Sequence, residues 1–168
     1  MKKKVMGKGF PLDKADGSIE NVLFFATGSG ISPVRSRSGG RRGLQGTDPW
    51  RCAKIRSLIE SGAVDLAGVN AALYLGVKNE DYLPWEPKMT SWESPDVVLC
   101  FSAPKEGSGV AAEKGYVQDV FAATKENALK GDPAKTLAFV IGQKEMSQGV
   151  TAALTAAGVP EENILNNF

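Results

Sequence analysis

The sequence predicts a doubly wound α/β domain on a parallel sheet, and three observations predict it. Short apolar runs rich in β-branched and aromatic residues recur along the 168 residues. They alternate with longer segments of helical periodicity, and glycines punctuate the junctions. Strands separated by helices join in parallel through right-handed crossovers.

In chain order, residues 22–26 (Val-Leu-Phe-Phe-Ala) read as a first strand buried on both faces, because no polar residue interrupts them. Asp48 and Pro49 then form a cap and first-turn pair. Trp50, Ala53, Ile55, Leu58 and Ile59 follow at helical spacing up to a stop at Gly62. Residues 71–77, 96–101 and 136–141 read as three further buried strands, with 163–165 a short fifth. Residues 116–130 and 145–157 read as helices closed by Gly131 and Gly158. The stretch 35–46, rich in Arg, Ser and Gly, reads as a basic loop.

Composition narrows the function. With 42% apolar and 23% charged residues the chain fits one domain with a substantial core. Twenty basic against nineteen acidic side chains lack the excess expected of a nucleic-acid or anionic-membrane binder, so neither is expected as a partner. There is no histidine, which removes serine–histidine triads, histidine metal sites and imidazole proton shuttles. Cys52 and Cys100 match no zinc or redox spacing, and a reducing compartment such as the cytoplasm is the default. No apolar run reaches the roughly 18 residues of a membrane helix. Lys2, Lys3 and Lys4 resemble the start of a signal peptide, but Gly7, Lys8, Gly9, Pro11 and Asp13 follow where an apolar stretch is needed, so no targeting segment is expected.

The most informative segment is Thr27-Gly28-Ser29-Gly30-Ile31-Ser32-Pro33 at the end of the first strand. Glycines there permit positive φ and bare backbone, so N–H groups can approach a pyrophosphate. Pro33 stands where the common dinucleotide pattern has its third glycine, and a turn with glycines for geometry alone is the competing reading. After the second strand, Lys78 suits a 2′-phosphate where an NAD-specific site often has a carboxylate; a solvated lysine is the alternative. Ser102 follows the third strand, and Lys114, Tyr116 and Gln118 then offer a charge, an aromatic face and an amide, suited to a phosphate and an adenine ring. Packing and surface roles compete for Tyr116 and Gln118. Gly142 after the fourth strand, with Gln143 and Met146 beyond it, offers bare backbone to a ring.

In these pieces the chain resembles the nucleotide-binding half of the ferredoxin–NADP reductase superfamily, and within it the plant and algal FAD/NAD(P)-binding oxidoreductases. The matching segments are Phe25-Ala-Thr-Gly-Ser-Gly-Ile-Ser-Pro-Val-Arg35, Leu73-Tyr-Leu-Gly-Val-Lys-Asn79, Gly115-Tyr-Val-Gln118, Gly142-Gln-Lys-Glu-Met146 and Ile164-Leu-Asn-Asn-Phe168, in family order. The resemblance implies a five-stranded parallel sheet (Rossmann-like) over residues 21–168 that binds NADP (or NAD) and passes hydride to FAD held in a separate barrel. It implies a pyrophosphate loop at Thr27 to Pro33, a 2′-phosphate and adenine site at Lys114, Tyr116 and Gln118, a nicotinamide pocket beside Gly142, and an aromatic flavin cover at Phe168. A plastid location is implied by kinship alone.

Three departures qualify that expectation. Residues 1–20 match only the end of the family's flavin barrel, and none of Tyr74, Tyr82 and Tyr116 has an arginine two residues before it, as the flavin motif requires. The expectation is therefore that FAD, which would carry the redox chemistry, is not bound by this chain alone and comes with a flavin domain or a small redox protein as partner. Second, Ile141 stands where many members carry a cysteine, and Cys100 reads as a buried small hydrophobe. Third, an insertion at 36–56 splits the family's first helix. From Arg35 to Arg56 there are seven basic residues (Arg35, Arg37, Arg41, Arg42, Arg51, Lys54 and Arg56) against the single acid Asp48. Its composition is that of a disordered segment, and the Arg-Ser pair at both ends reads as an unremoved intervening sequence; a grip on a dinucleotide or an acidic partner is the other reading. Function is accordingly expected to be the NAD(P)H-binding half of a flavin-dependent electron-transfer oxidoreductase, the alternative being a non-catalytic nucleotide-binding or interaction module.

Overall fold

A computed structural model describes residues 18–27, 59, 62, 64–83 and 93–166. Among these, six strands form one sheet: β1 (Asn21–Thr27), β2 (Asn70–Val77), β3 (Asp96–Phe101), β4 (Glu113–Lys114), β5 (Thr136–Ile141) and β6 (Ile164–Asn166). Two α-helices, α1 (Val117–Ala128) and α2 (Lys144–Ala156), follow β4 and β5. The sheet order is β4-β3-β2-β1-β5-β6, and every pairing is parallel.

Alternation along each strand builds two cores, since successive side chains leave opposite faces. Val22, Phe24, Ala26, Leu73, Leu75, Leu137, Phe139 and Ile141 fill one, with Phe24 and Phe139 stacked at 5.2 Å. Leu23, Phe25, Tyr74, Ala138 and Val140 fill the other against Val117, Val120 and Phe121 of α1 and Val150 and Leu154 of α2. Phe25 stacks on Tyr74 at 5.2 Å, and Phe121 closes edge-on upon both rings. The Tyr74 hydroxyl, carried into this core, is satisfied by Thr124 Oγ1 at 2.9 Å.

The doubly wound parallel reading holds, with two differences of detail. A sixth strand, β4, adds two exposed residues to the edge beside Cys100 and Phe101; it is held by backbone pairing alone and leaves no apolar pattern to read. The last strand lies one residue later than expected, at Ile164–Asn166, because Glu161–Asn163 form a 3-10 turn. The expected helix over 48–62 and the expected insertion at 36–56 fall outside the described residues, apart from helical Ile59 and Gly62, whose φ is +66°.

At the end opposite the strands' carboxyl termini, a polar knot ties the elements together. Asn21 is fully buried. Its Nδ2 donates to Lys130 O at 2.9 Å and Thr136 Oγ1 at 3.3 Å, and its Oδ1 accepts from Lys130 N and Asn70 Nδ2. Asn70 Nδ2 also reaches Ala128 O at 2.6 Å, so two asparagines satisfy the carboxyl end of α1.

Candidate functional site

The chain enters the sheet at its middle through β1, builds outward through β2, β3 and β4, then crosses to β5 and β6 on the other side. This reversal puts a switch point between β1 and β5. There the connections leave for opposite directions and a crevice opens beyond the carboxyl ends of the strands. A cavity of about 640 Å³ occupies this end of the sheet, within the range of small-molecule sites.

Each wall has a local cause. Thr27 ends β1, Gly76 and Val77 end β2 with Lys78 just beyond, and Cys100 from β3 leads to Ser102 and Ala103. The two loops stay in register past the sheet, because Ser102 N donates to Val77 O and Ala103 N to Lys78 O. Gly115, Tyr116, Val117 and Gln118 line the cavity from the start of α1, and Gln143, Glu145 and Met146 from the start of α2. Neither helix has a side-chain cap at its N-terminal residue, Tyr116 or Gln143. Their first-turn N–H groups therefore lie at the cavity with the positive ends of both helix dipoles.

Two wall residues each carry an incomplete polar atom. Thr27 Oγ1 and Gln118 Oε1 are buried without a hydrogen-bond partner among the described residues, as are Glu80 Oε2 and Ser147 Oγ on residues that do not line the cavity. Gly142 supplies the complementary feature. A Cβ there would overlap Met146 Cε and Thr27 Oγ1, so any side chain at that position would collide with two cavity walls. Tyr116, by contrast, is 62% exposed, the one large hydrophobic side chain so exposed among the described residues.

The structure thus gathers Thr27, Lys78, Ser102, Tyr116, Gln118, Gln143 and Met146 of the sequence-derived candidates around one cavity. Gly142 stands directly behind Thr27 and Met146. Lys114 is exposed on edge strand β4, next to Gly115 at the rim, and its side chain is not among those lining the cavity. Gly28, Ser29, Gly30, Ile31, Ser32, Pro33 and Phe168 lie outside the described residues. Sequence reasoning missed Gly76, Val77, Cys100, Ala103, Gly115, Val117 and Glu145 as wall residues. Their position just at strand ends or helix starts was the available signal.

Charge around the cavity is sparse. Lys78 is the one cation and Glu145 the one anion among the described lining residues. Cys100 is buried, and burial pushes its thiol up to about 12, with Glu113 adding a repulsive charge. Its sulfur is therefore a neutral wall group. No cluster of three or more His, Cys, Asp or Glu with metal-binding geometry occurs among the described residues. No helix among them is long and apolar enough to cross a membrane.

No protein-family model matches the chain. Its sequence is 28% identical over 168 residues, 96% of the chain, to the fruit protein pKIWI502 of Actinidia deliciosa, of which it covers 44%. Among solved structures it is similar to the CS-b5R domains of human Ncb5or in their NAD⁺ form, with a TM-score of 0.64, 17% identity, and coverage of 96% of this chain and 40% of that one. It is also similar to the ferredoxin reductase in carbazole 1,9a-dioxygenase, with a TM-score of 0.56, 16% identity, and coverage of 90% and 38%. The cytochrome b5 reductase domain of Ulva prolifera nitrate reductase matches with a TM-score of 0.56, 15% identity, and coverage of 88% and 48%. The chain spans less than half the length of each of these proteins. The resemblance drawn from its motifs is borne out at the level of the fold.

Proposed function

We propose that this chain, which shares the fold of a ferredoxin reductase and of cytochrome b5 reductases, is the NAD(P)H-binding portion of a flavin-dependent electron-transfer oxidoreductase. The observation that carries the reading is the cavity that two uncapped helices face, walled by Thr27 and Gln118, whose buried oxygens Oγ1 and Oε1 have no hydrogen-bond partner among the described residues. Such a site suits a ligand that brings an anionic group and hydrogen-bond donors, and a dinucleotide brings both.

The residues fit that ligand in a definite order. Tyr116 would offer its exposed ring to the adenine, with the Gln118 carboxamide beside it. Lys78, and Lys114 next to the rim, would hold a 2′-phosphate, while Ser102 would add a hydroxyl. The pyrophosphate would lie along Gly28, Ser29, Gly30, Ile31, Ser32 and Pro33, and the nicotinamide would enter beside Thr27, Gln143 and Met146, with Gly142 behind Thr27 and Met146 rather than bare to the ring, and Phe168 would serve the flavin. When bound, NADPH would supply hydride and FAD, held in a separate flavin-binding barrel, would accept it. The protein's share is to bind, align and dehydrate the ring. A plastid is the compartment that the plant and algal resemblance supports.

Calorimetric titration of the purified chain with NADP⁺ and NAD⁺, alongside its visible spectrum, tests the reading. Micromolar NADP⁺ binding is expected, and Lys78→Glu should weaken it by about tenfold or more while affecting NAD⁺ less, since a carboxylate would face the 2′-phosphate. Absence of binding by either nucleotide would leave a shared fold without the function.

A further inference from the structure

Gly149 occupies the interior of α2, where glycine weakens a helix relative to alanine. Its φ is not in the left-handed region, so the backbone gives no reason for a glycine there. The reason lies across the interface with α1. A Cβ on Gly149 would stand 3.1 Å from Gln118 Cγ, 3.4 Å from its Cβ and 3.6 Å from its Cδ. The stem of Gln118 therefore lies against the bare α2 backbone, and the same side chain, which lines the cavity, carries a buried oxygen with no hydrogen-bond partner among the described residues.

We propose that Gly149 is a positioning residue for the ligand: by carrying no side chain it sets the height of the Gln118 stem, and so the place where the carboxamide oxygen awaits a donor. An amide oxygen accepts hydrogen bonds, so its partner is a donor, and on the nucleotide reading that donor is an N–H of the base or carboxamide. The inference rests on the nucleotide-binding reading above and goes beyond it, since Gly149 itself is not a wall of the cavity. An alanine would require the stem to move by a few tenths of an ångström. That displacement is comparable with the roughly 0.5 Å range over which N–H···O hydrogen bonds form, so it weakens the bond that the carboxamide can make.

The test separates positioning from packing, with NADP⁺ as the probe. Gly149→Ala is expected to keep or raise the melting temperature, as a helix-interior glycine replaced by alanine should, yet to weaken NADP⁺ binding by about fivefold, the worth of one hydrogen bond. In a Gln118→Ala background the same substitution should change the dissociation constant by less than roughly twofold, because the group it acts through is gone. Unchanged affinity in Gly149→Ala, or an equal loss in both backgrounds, would overturn the proposal. Failure of the wild-type chain to bind NADP⁺ would overturn the nucleotide reading and this inference together, and it would be seen before any variant was made.

Discussion

Cys100 shows how surroundings decide the chemistry of one side chain. It faces Gly76 across one pairing and Glu113 across the other, and its thiol makes one weak contact, donating to Val98 O at 3.8 Å. Burial disfavours the thiolate, and the nearby carboxylate disfavours it further, raising the pKa from 9.0 to about 12. Reactivity needs the thiolate, so Cys100 should be inert while the chain is folded. With Cys52 replaced by serine, an iodoacetamide label at pH 8 is expected on the unfolded chain and not on the folded one; rapid labelling of folded protein would show that the cavity wall opens. The same shift has a sign in stability. Below pH 9.0 both states hold the proton, whereas between 9.0 and about 12 the unfolded chain loses it first. The contribution of this group therefore declines as pH rises through that window.

At the scale of the element, α2 ends as its sequence demands. Gly158 adopts φ +94°, its N–H donates to Thr155 O, and Val159 N donates to Leu154 O, the paired bonds of a glycine C-cap. Val159 and Leu154 are both buried in one core, so the cap also carries an apolar clasp. Gly158→Ala should cost about 1–2 kcal/mol, the penalty for a Cβ in the left-handed region, measured by urea denaturation. That cap was legible in the sequence, as were the four long strands, because residues such as Phe24 and Phe25 are buried on opposite faces and leave an unbroken apolar run. Glu113 and Lys114 were not legible as a strand, since both are exposed and joined to β3 only through the backbone. The end of α1 also differs from its reading. The expected stop was Gly131, yet the helix closes at Ala128, where Asn70 supplies a partner from 58 positions away, a long-range contact that no local pattern announces. Of the site, the polar and aromatic members Lys78, Tyr116 and Gln118 carried a signal in their chemistry. Val77, Ala103 and Val117 line the cavity through position alone.

For the whole molecule, the decisive joint is the polar knot below the sheet. Asn21 connects β1 to β2 through Asn70, to the start of β5 through Thr136, and to the segment after α1 through Lys130. Asn21→Ala should remove about 2–3 kcal/mol, because several buried partners lose their bonds at once, and the melting temperature should fall accordingly. A loss no larger than that of an ordinary surface substitution would show that water replaces the amide. The topology around this joint also governs the order in which the molecule can form. β1 is central, yet its second neighbour is β5, and Asn21 meets Thr136 across 115 positions. Until β5 has been made, the middle strand has an unpaired edge, and Leu23 and Phe25 lack part of their cover. A growing or severed chain that stops short of residue 136 therefore presents an adhesive ribbon, and folding must wait for the slow, long-range closure of β5 onto β1.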